Sequence, residues 1–127
     1  MRTRRQRHGA AGEDEAVSFL ERAGWRVVVR NLKIVRDEID ILAIDPGPPT
    51  TLVVVEVRSL RSAAFGAPEE RVDRAKVGRL YRAVAGLSAS FEPGAGLGRL
   101  PRRVDLVIVD RRSFPTQIRH LRALEPP

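Results

Sequence analysis

The sequence predicts a single α/β domain: a helix, three consecutive strands, a second helix, a fourth strand and a short fifth, with a central mixed sheet covered by two principal helices. Three observations carry this. Apolar residues return at helical spacing in two separate stretches. Three β-rich segments follow one another with short breaks between them. A helical stretch lies between the third and fourth strands, as a parallel crossover requires. The order is αβββαβ with one short strand added.

The elements follow in turn. Residues 1–11 hold Arg2, Arg4, Arg5, Arg7 and His8 with few apolar groups, and read as a flexible basic arm ahead of one domain over 12–127. From Gly12 to Ala23 the residues Ala16, Val17, Phe19, Leu20 and Ala23 form a helical stripe, and Gly24 stands where a C-terminal cap belongs. Trp25 to Lys33 is rich in β-branched side chains, Glu38 to Asp45 alternates, and Thr51 to Arg58 contains Leu52, Val53, Val54, Val55 and Val57. Each predicts a strand. Pro46, Gly47, Pro48 and Pro49 allow only a short connection between the second and third, so those two pair antiparallel. Glu69 to Leu87 carries Val77, Leu80, Val84 and Leu87 on one helical stripe, behind an acidic start that suits the helix dipole. The Gly, Pro and Ser-rich stretch from Ser88 to Pro101 predicts a loop, and its Gly94, Gly96 and Gly98 lack the strand and helix of a phosphate-binding turn. Arg103 to Asp110 and Gln117 to Ala123 predict the last two strands.

Composition narrows the partner. With 127 residues, 43% hydrophobic and 31% charged, the chain has the make-up of a folded domain with a core of its own. A net charge of +7 favours a polyanion, nucleic acid first, because each cation near a phosphate releases counterions. An arginine-rich codon usage would raise the same charge with no partner at all, so placement has to decide. The absence of cysteine excludes disulfides, thiolate ligands and thiol nucleophiles. No apolar run approaches a membrane span and the basic N-terminus lacks a secretory apolar segment, so a cytoplasmic protein without a membrane partner is expected.

The chemistry gathers on the second and third strands. Side chains two apart share a strand face, which sets Glu56 and Arg58 against Val53, Val55 and Val57, and Glu38, Asp40 and Leu42 against Ile39, Ile41 and Ala43. Where Asp40 falls opposite or diagonal to Glu56, two carboxylates and a guanidinium share one patch. Facing carboxylates repel unless a proton or cation lies between them, and oxygen ligands without cysteine or histidine suit Mg²⁺ or Mn²⁺ rather than Zn²⁺. The Val57 carbonyl would complete the shell. An ion so held serves phosphodiester hydrolysis. The same spacing also fits a solvated cross-strand charge pattern.

Further residues carry a resemblance. Gly12-Glu13, Arg30-Asn31, Glu38-Ile39-Asp40, Val55-Glu56-Val57, Phe65-Gly66, Lys76 and Arg103-Val104-Asp105 run over nearly the whole chain in an order and spacing that resembles the YraN-like family. This uncharacterised bacterial group is assigned to the PD-(D/E)XK, or restriction-endonuclease-like, superfamily. The resemblance implies metal-dependent cleavage of DNA, with structured or branched DNA suggested by the likeness to Holliday-junction resolvases. It implies that Asp40 and Glu56 hold the metal and that Glu13 approaches it from the first helix.

Two departures matter. Asp37 stands where the family has glycine, and Arg58 replaces the superfamily's lysine. Arginine stays protonated and cannot be a general base, although it can neutralise a phosphate. Lys76, on the flank of the second helix's stripe, either reaches the carboxylates in that lysine's place or lies along the core edge with its head in water. Arg4, Arg5, Arg7, Arg61 and Arg103 are the cations expected to meet phosphate. His8 and His120 predict ordinary surface roles, and Trp25 and the phenylalanines core packing. A homodimer would suit paired cuts on a two-fold substrate. The rival readings are a catalytically weak or inactive nucleic-acid-binding module on the same fold, and a protein-interaction scaffold.

Overall fold

The computed structural model describes residues 4–34, 37–61, 73–86, 99–112 and 114–124, with the backbone alone for 4–10. The elements are α1 (Arg4–Arg22), β1 (Arg26–Ile34), β2 (Asp37–Asp45), β3 (Thr51–Leu60), α2 (Arg74–Gly86), β4 (Arg102–Asp110) and β5 (Gln117–Leu121). The five strands form one sheet in sequence order. β3 and β4 run parallel, joined through α2, and every other neighbouring pair is antiparallel.

One boundary differs from expectation. α1 begins at Arg4, so residues read as a basic arm form its first turns. Arg, Gln and Ala are good helix formers and no proline interrupts them, which favours continuing the helix through the polar segment. The acidic start foreseen for α2, Phe65-Gly66 and the glycines of the 88–101 loop up to Gly98 lie outside the described residues.

Each face of the sheet has its own core. Against α1, Ala16, Leu20 and Trp25 pack with Ile41, Ala43, Val53, Val55, Val107 and Val109. Against α2, Val77, Leu80 and Val84 pack with Ile39, Leu42, Leu52, Val54 and Val104. Full burial of each large aliphatic side chain contributes roughly 1.5–3 kcal/mol relative to exposure, so these two stripes set the layer order. At the end of α1, Gly24 adopts a φ of 89° and the Trp25 amide donates to the Leu20 carbonyl at 3.0 Å, closing the helix and sending the chain into β1.

Two irregularities prepare the site. Ile39 packs on the α2 side while Ile41 packs on the α1 side, so the expected grouping of the two on one face fails between them, at Asp40. Gly12 lies so close to β3 that a Cβ there would stand 1.9 Å from Ser59 Oγ. A glycine at this point of α1 lets the helix settle against β3.

On the α1 side of β4, Asp105 is fully buried within a charged network. Its carboxylate accepts from Arg103 Nε at 2.8 Å and from the Ala123 amide at 2.9 Å, and His120 Nε2 lies 2.8 Å away. Arg103 also donates to Asp45 at 2.9 Å and lies over the Trp25 ring. His120 is therefore an interior residue and not the surface one expected from its isolation in the sequence. Phe114, expected in the core, is 99% exposed.

Candidate functional site

The β2–β3 ladder ends at the pair Ile41 and Val55. Beyond it β2 follows β1 as far as Asp37 and β3 follows β4 as far as Leu60, so the sheet forks. Asp40 and Glu56 stand at this fork. The Asp40 side chain takes over where the backbone pairing stops: its Oδ2 accepts a hydrogen bond from the Val57 amide at 2.8 Å. A residue's N–H and C=O leave a strand on the same edge, so the Val57 carbonyl also faces β2.

Glu56 is mostly buried on the α2 side. Its Oε1 accepts from Lys76 Nζ at 2.8 Å, and its Oε2 is buried without a hydrogen-bond partner. Burial and then the Glu56 charge push the Asp40 carboxyl up to about 7, against the Val57 bond that lowers it, and Glu13 adds a weaker upward push. The two acids thus feel each other strongly. For Lys76, burial opposes the charged form, yet the bond to Glu56 and the charges of Glu56 and Asp40 outweigh it and hold the ammonium above its ordinary value. Of the two readings of Lys76 made from the sequence, the structure selects the one in which it reaches the acids.

Arg58 follows on the same face of β3 and lines one pocket with Glu56, Lys76 and Asp73. Among the described residues its guanidinium has no hydrogen-bond or ion-pair partner. The pocket floor is apolar, formed by Val77, Leu80 and Leu106 among others, and encloses about 20 Å³. That is room for about one water and no nucleobase, so a polymeric ligand would meet these charges from outside.

Glu13 arrives from α1 on the other side of the fork. It lies 3.6 Å from Arg30, which pairs more closely with Asp14 at 2.7 Å. Asn31, with its amide nitrogen turned toward the carboxylates, stands 3.1 and 3.3 Å from the two Glu13 oxygens and 3.2 Å from Glu38 Oε1. The residue adopts a φ of 53°, a left-handed conformation that Asn tolerates better than most side chains. Burial raises the Glu13 carboxyl, helped by Glu38 and opposed by Asn31 and Arg30.

Among the described residues no three acidic or histidine side chains form a ready cage for a metal ion. The donor set fits a hard cation in another way. Glu56 keeps one buried oxygen unbonded, and Asp40 is held toward its protonated form by burial and a like charge that a cation would relieve.

The sequence pattern of the Uncharacterised protein family UPF0102 matches residues 12–109. The chain belongs to the UPF0102 family. A UPF0102 protein of Paenarthrobacter aurescens is 42% identical over 117 residues, covering 91% of each chain. One of Arthrobacter sp. (strain FB24) is 37% identical over 118 residues, covering 91% of this chain and 93% of the relative. One of Desulfosudis oleivorans is 34% identical over 118 residues, covering 93% and 90%. The YraN-like resemblance read from the motifs is thereby confirmed as UPF0102 membership.

Of the residues picked out in this UPF0102 chain by sequence, the fold brings together Asp40, Glu56, Val57, Arg58 and Lys76, with Glu13 adjoining them. Arg61 follows directly after β3 and is exposed. Arg103 is elsewhere: Asp105 and Asp45 engage its guanidinium, which is only 19% exposed, and it leaves the set of phosphate contacts. The side chains of Arg4, Arg5 and Arg7 lie outside the described residues. Asn31 joins Glu13 without any role that the sequence motif assigns; a polar side chain inside a β-rich run, two residues before a charged one, is its only sequence signal.

Proposed function

We propose that this UPF0102 protein is a metal-dependent nuclease of the PD-(D/E)XK superfamily that hydrolyses DNA phosphodiester bonds, with structured or branched DNA as its substrate class. The observation that carries the reading is the fork of β2 and β3, where Asp40 and the half-unbonded Glu56 carboxylate converge beside two cations. Asp40 and Glu56 would hold Mg²⁺ or Mn²⁺, with the Val57 carbonyl on the same edge and Glu13 behind. The ion would supply Lewis acidity toward the phosphodiester and its attacking water.

The chain's own groups divide the remaining work. Arg58, unpaired among the described residues and always protonated, neutralises an oxygen of the scissile phosphate. Lys76 provides the ammonium that the superfamily places on the strand, delivered here from α2. Arg61 extends the positive edge along the substrate, and the shallow pocket keeps bases stacked outside. Two-fold substrates would be cut by a homodimer.

The test is a panel of single-stranded, duplex, flap and four-way-junction DNA incubated with Mg²⁺ or Mn²⁺, with Asp40→Ala as control and Arg58→Lys beside wild type. Metal-dependent cleavage lost in Asp40→Ala supports the reading. Salt-dependent binding in EDTA without cleavage by either protein turns it into a nucleic-acid-binding module. No binding at all leaves an interaction scaffold.

A further inference from the structure

Lys76 has an unusual position for a lysine. It lies in the first turn of α2, whose start is set by Asp73: the Asp73 side chain accepts from the Lys76 amide at 3.2 Å and its carbonyl accepts from the Val77 amide at 3.0 Å. A cation in a helix's first turn is opposed by the helix dipole. What offsets that cost is the acid pair, because the ammonium reaches 2.8 Å from Glu56 Oε1 and feels Asp40 as well.

We propose that Lys76 is a resident counter-cation of the acid pair, holding Glu56 while no divalent ion is bound and competing with that ion for the same carboxylate. This rests on the metal-binding part of the function proposed above and adds to it how occupancy is controlled. Three observations argue for competition rather than support. Lys76 sits directly on one oxygen of Glu56 while the other oxygen stays buried and unbonded, so the carboxylate is only half satisfied and open to a stronger cation. Arg58 stands beside Lys76 on the same pocket, so the positive charge near Glu56 is already doubled before any metal arrives. The Lys76 side chain is 35% exposed and hangs on a flexible four-carbon stem, which gives it a way out toward solvent.

Two consequences follow. Lys76 offsets part of the charge of the acid pair without metal, which lowers the cost of folding around two acids. A divalent ion held by Asp40 and Glu56 would repel the Lys76 ammonium, which would then be free to meet a phosphate.

The test measures Mn²⁺ binding by electron paramagnetic resonance and calorimetry on wild type, Lys76→Met and Lys76→Arg, with thermal melts in EDTA and in Mn²⁺. Lys76→Met is expected to bind Mn²⁺ at least about fivefold more tightly than wild type, a modest coupling between two cations. Its melting temperature should be lower than wild type in EDTA and should rise more on adding Mn²⁺. Lys76→Arg, which keeps a charge, should stay nearer wild type. Should Lys76→Met fail to fold in EDTA, Lys76→Gln replaces it in the same comparison. Tight binding by the neutral variant where wild type binds none also supports the proposal, as complete occlusion. Equal or weaker Mn²⁺ binding by the neutral variant, with wild type binding, overturns it and leaves the metal reading standing. Binding by neither removes both.

Discussion

Asp40 accepts the Val57 amide at 2.8 Å across the fork where β2 and β3 stop pairing. One side chain thereby replaces a rung of the sheet, and a carboxylate is fixed in a half-buried place that its charge disfavours. The Glu56 carboxylate, one residue before Val57, faces the same opening. The fork accordingly both ends the ladder and assembles the candidate site.

The raised Asp40 carboxyl has a stability consequence. Its folded value of about 7 exceeds its ordinary 3.8, so between those limits the folded state binds more protons than the unfolded one, and stability falls as pH rises through that window. Asp40→Asn carries no charge and keeps an oxygen for the Val57 amide. In EDTA it should match wild type near pH 4 and exceed it at pH 8, by up to a few kcal/mol. Urea denaturation at a series of pH values reads this directly; parallel curves for the two proteins would count against it.

The Asp105 network has the opposite sign. Burial raises the Asp105 carboxyl, but the bonds from His120, Arg103 and the Ala123 amide prevail and hold it below its ordinary value. Asp45 is likewise lowered, since bonds from Gly47 and Arg103 outweigh burial. Their stabilisation is present above the ordinary carboxylate range and is lost as pH falls through the depressed values, below about pH 4. Asp105→Ala, which leaves the guanidinium with Asp45 alone and takes the carboxylate from His120 and the Ala123 amide, should cost on the order of 1–3 kcal/mol at pH 7. A loss under 1 kcal/mol in chemical denaturation would falsify the network's role.

Asn31 combines a conformation with a set of bonds, and two variants separate them. Asn31→Ala must bear a left-handed backbone and should be about 1 kcal/mol less stable than Asn31→Gly, which adopts it freely. Both lose the amide that holds Glu13 and Glu38 together. Both are therefore expected to weaken Mn²⁺ binding by about tenfold, as loss of a group that orients a ligand does. Unchanged binding in Asn31→Gly would show that Glu13 needs no such support.

Gly12 is tested by size. Gly12→Val places a branched side chain where Ser59 already stands, and should destabilise by about 1–3 kcal/mol through overpacking. Ser59→Gly in the same chain should recover part of that loss, and a double-mutant cycle measures the recovery. Strict additivity would mean that α1 and β3 do not meet there.

Much of this protein is legible without coordinates. The Val53, Val55, Val57 alternation places Glu56 and Arg58 on one face because strand periodicity is a property of the backbone alone. The stripes of α1 and α2, and the antiparallel step forced by the proline-rich connection, are local in the same sense. The N-terminal turns of α1 are not legible, because polar helix formers carry no apolar period to count. The change of face between Ile39 and Ile41 is not legible either, because alternation assumes an unbroken ladder.

The sequence by itself determined the order of elements, the two apolar layers and the pairing of an acidic and a basic side chain on β3. Only the tertiary structure decided that Lys76 reaches Glu56, that Asn31 holds Glu13, and that Arg103 turns to Asp105 and Asp45 instead of to a ligand. Each of those outcomes depends on groups far apart in the chain being brought within hydrogen-bond distance by the packing of a helix or a neighbouring strand. Charge and spacing specify what a residue can bond, whereas the layers settle which partner it meets.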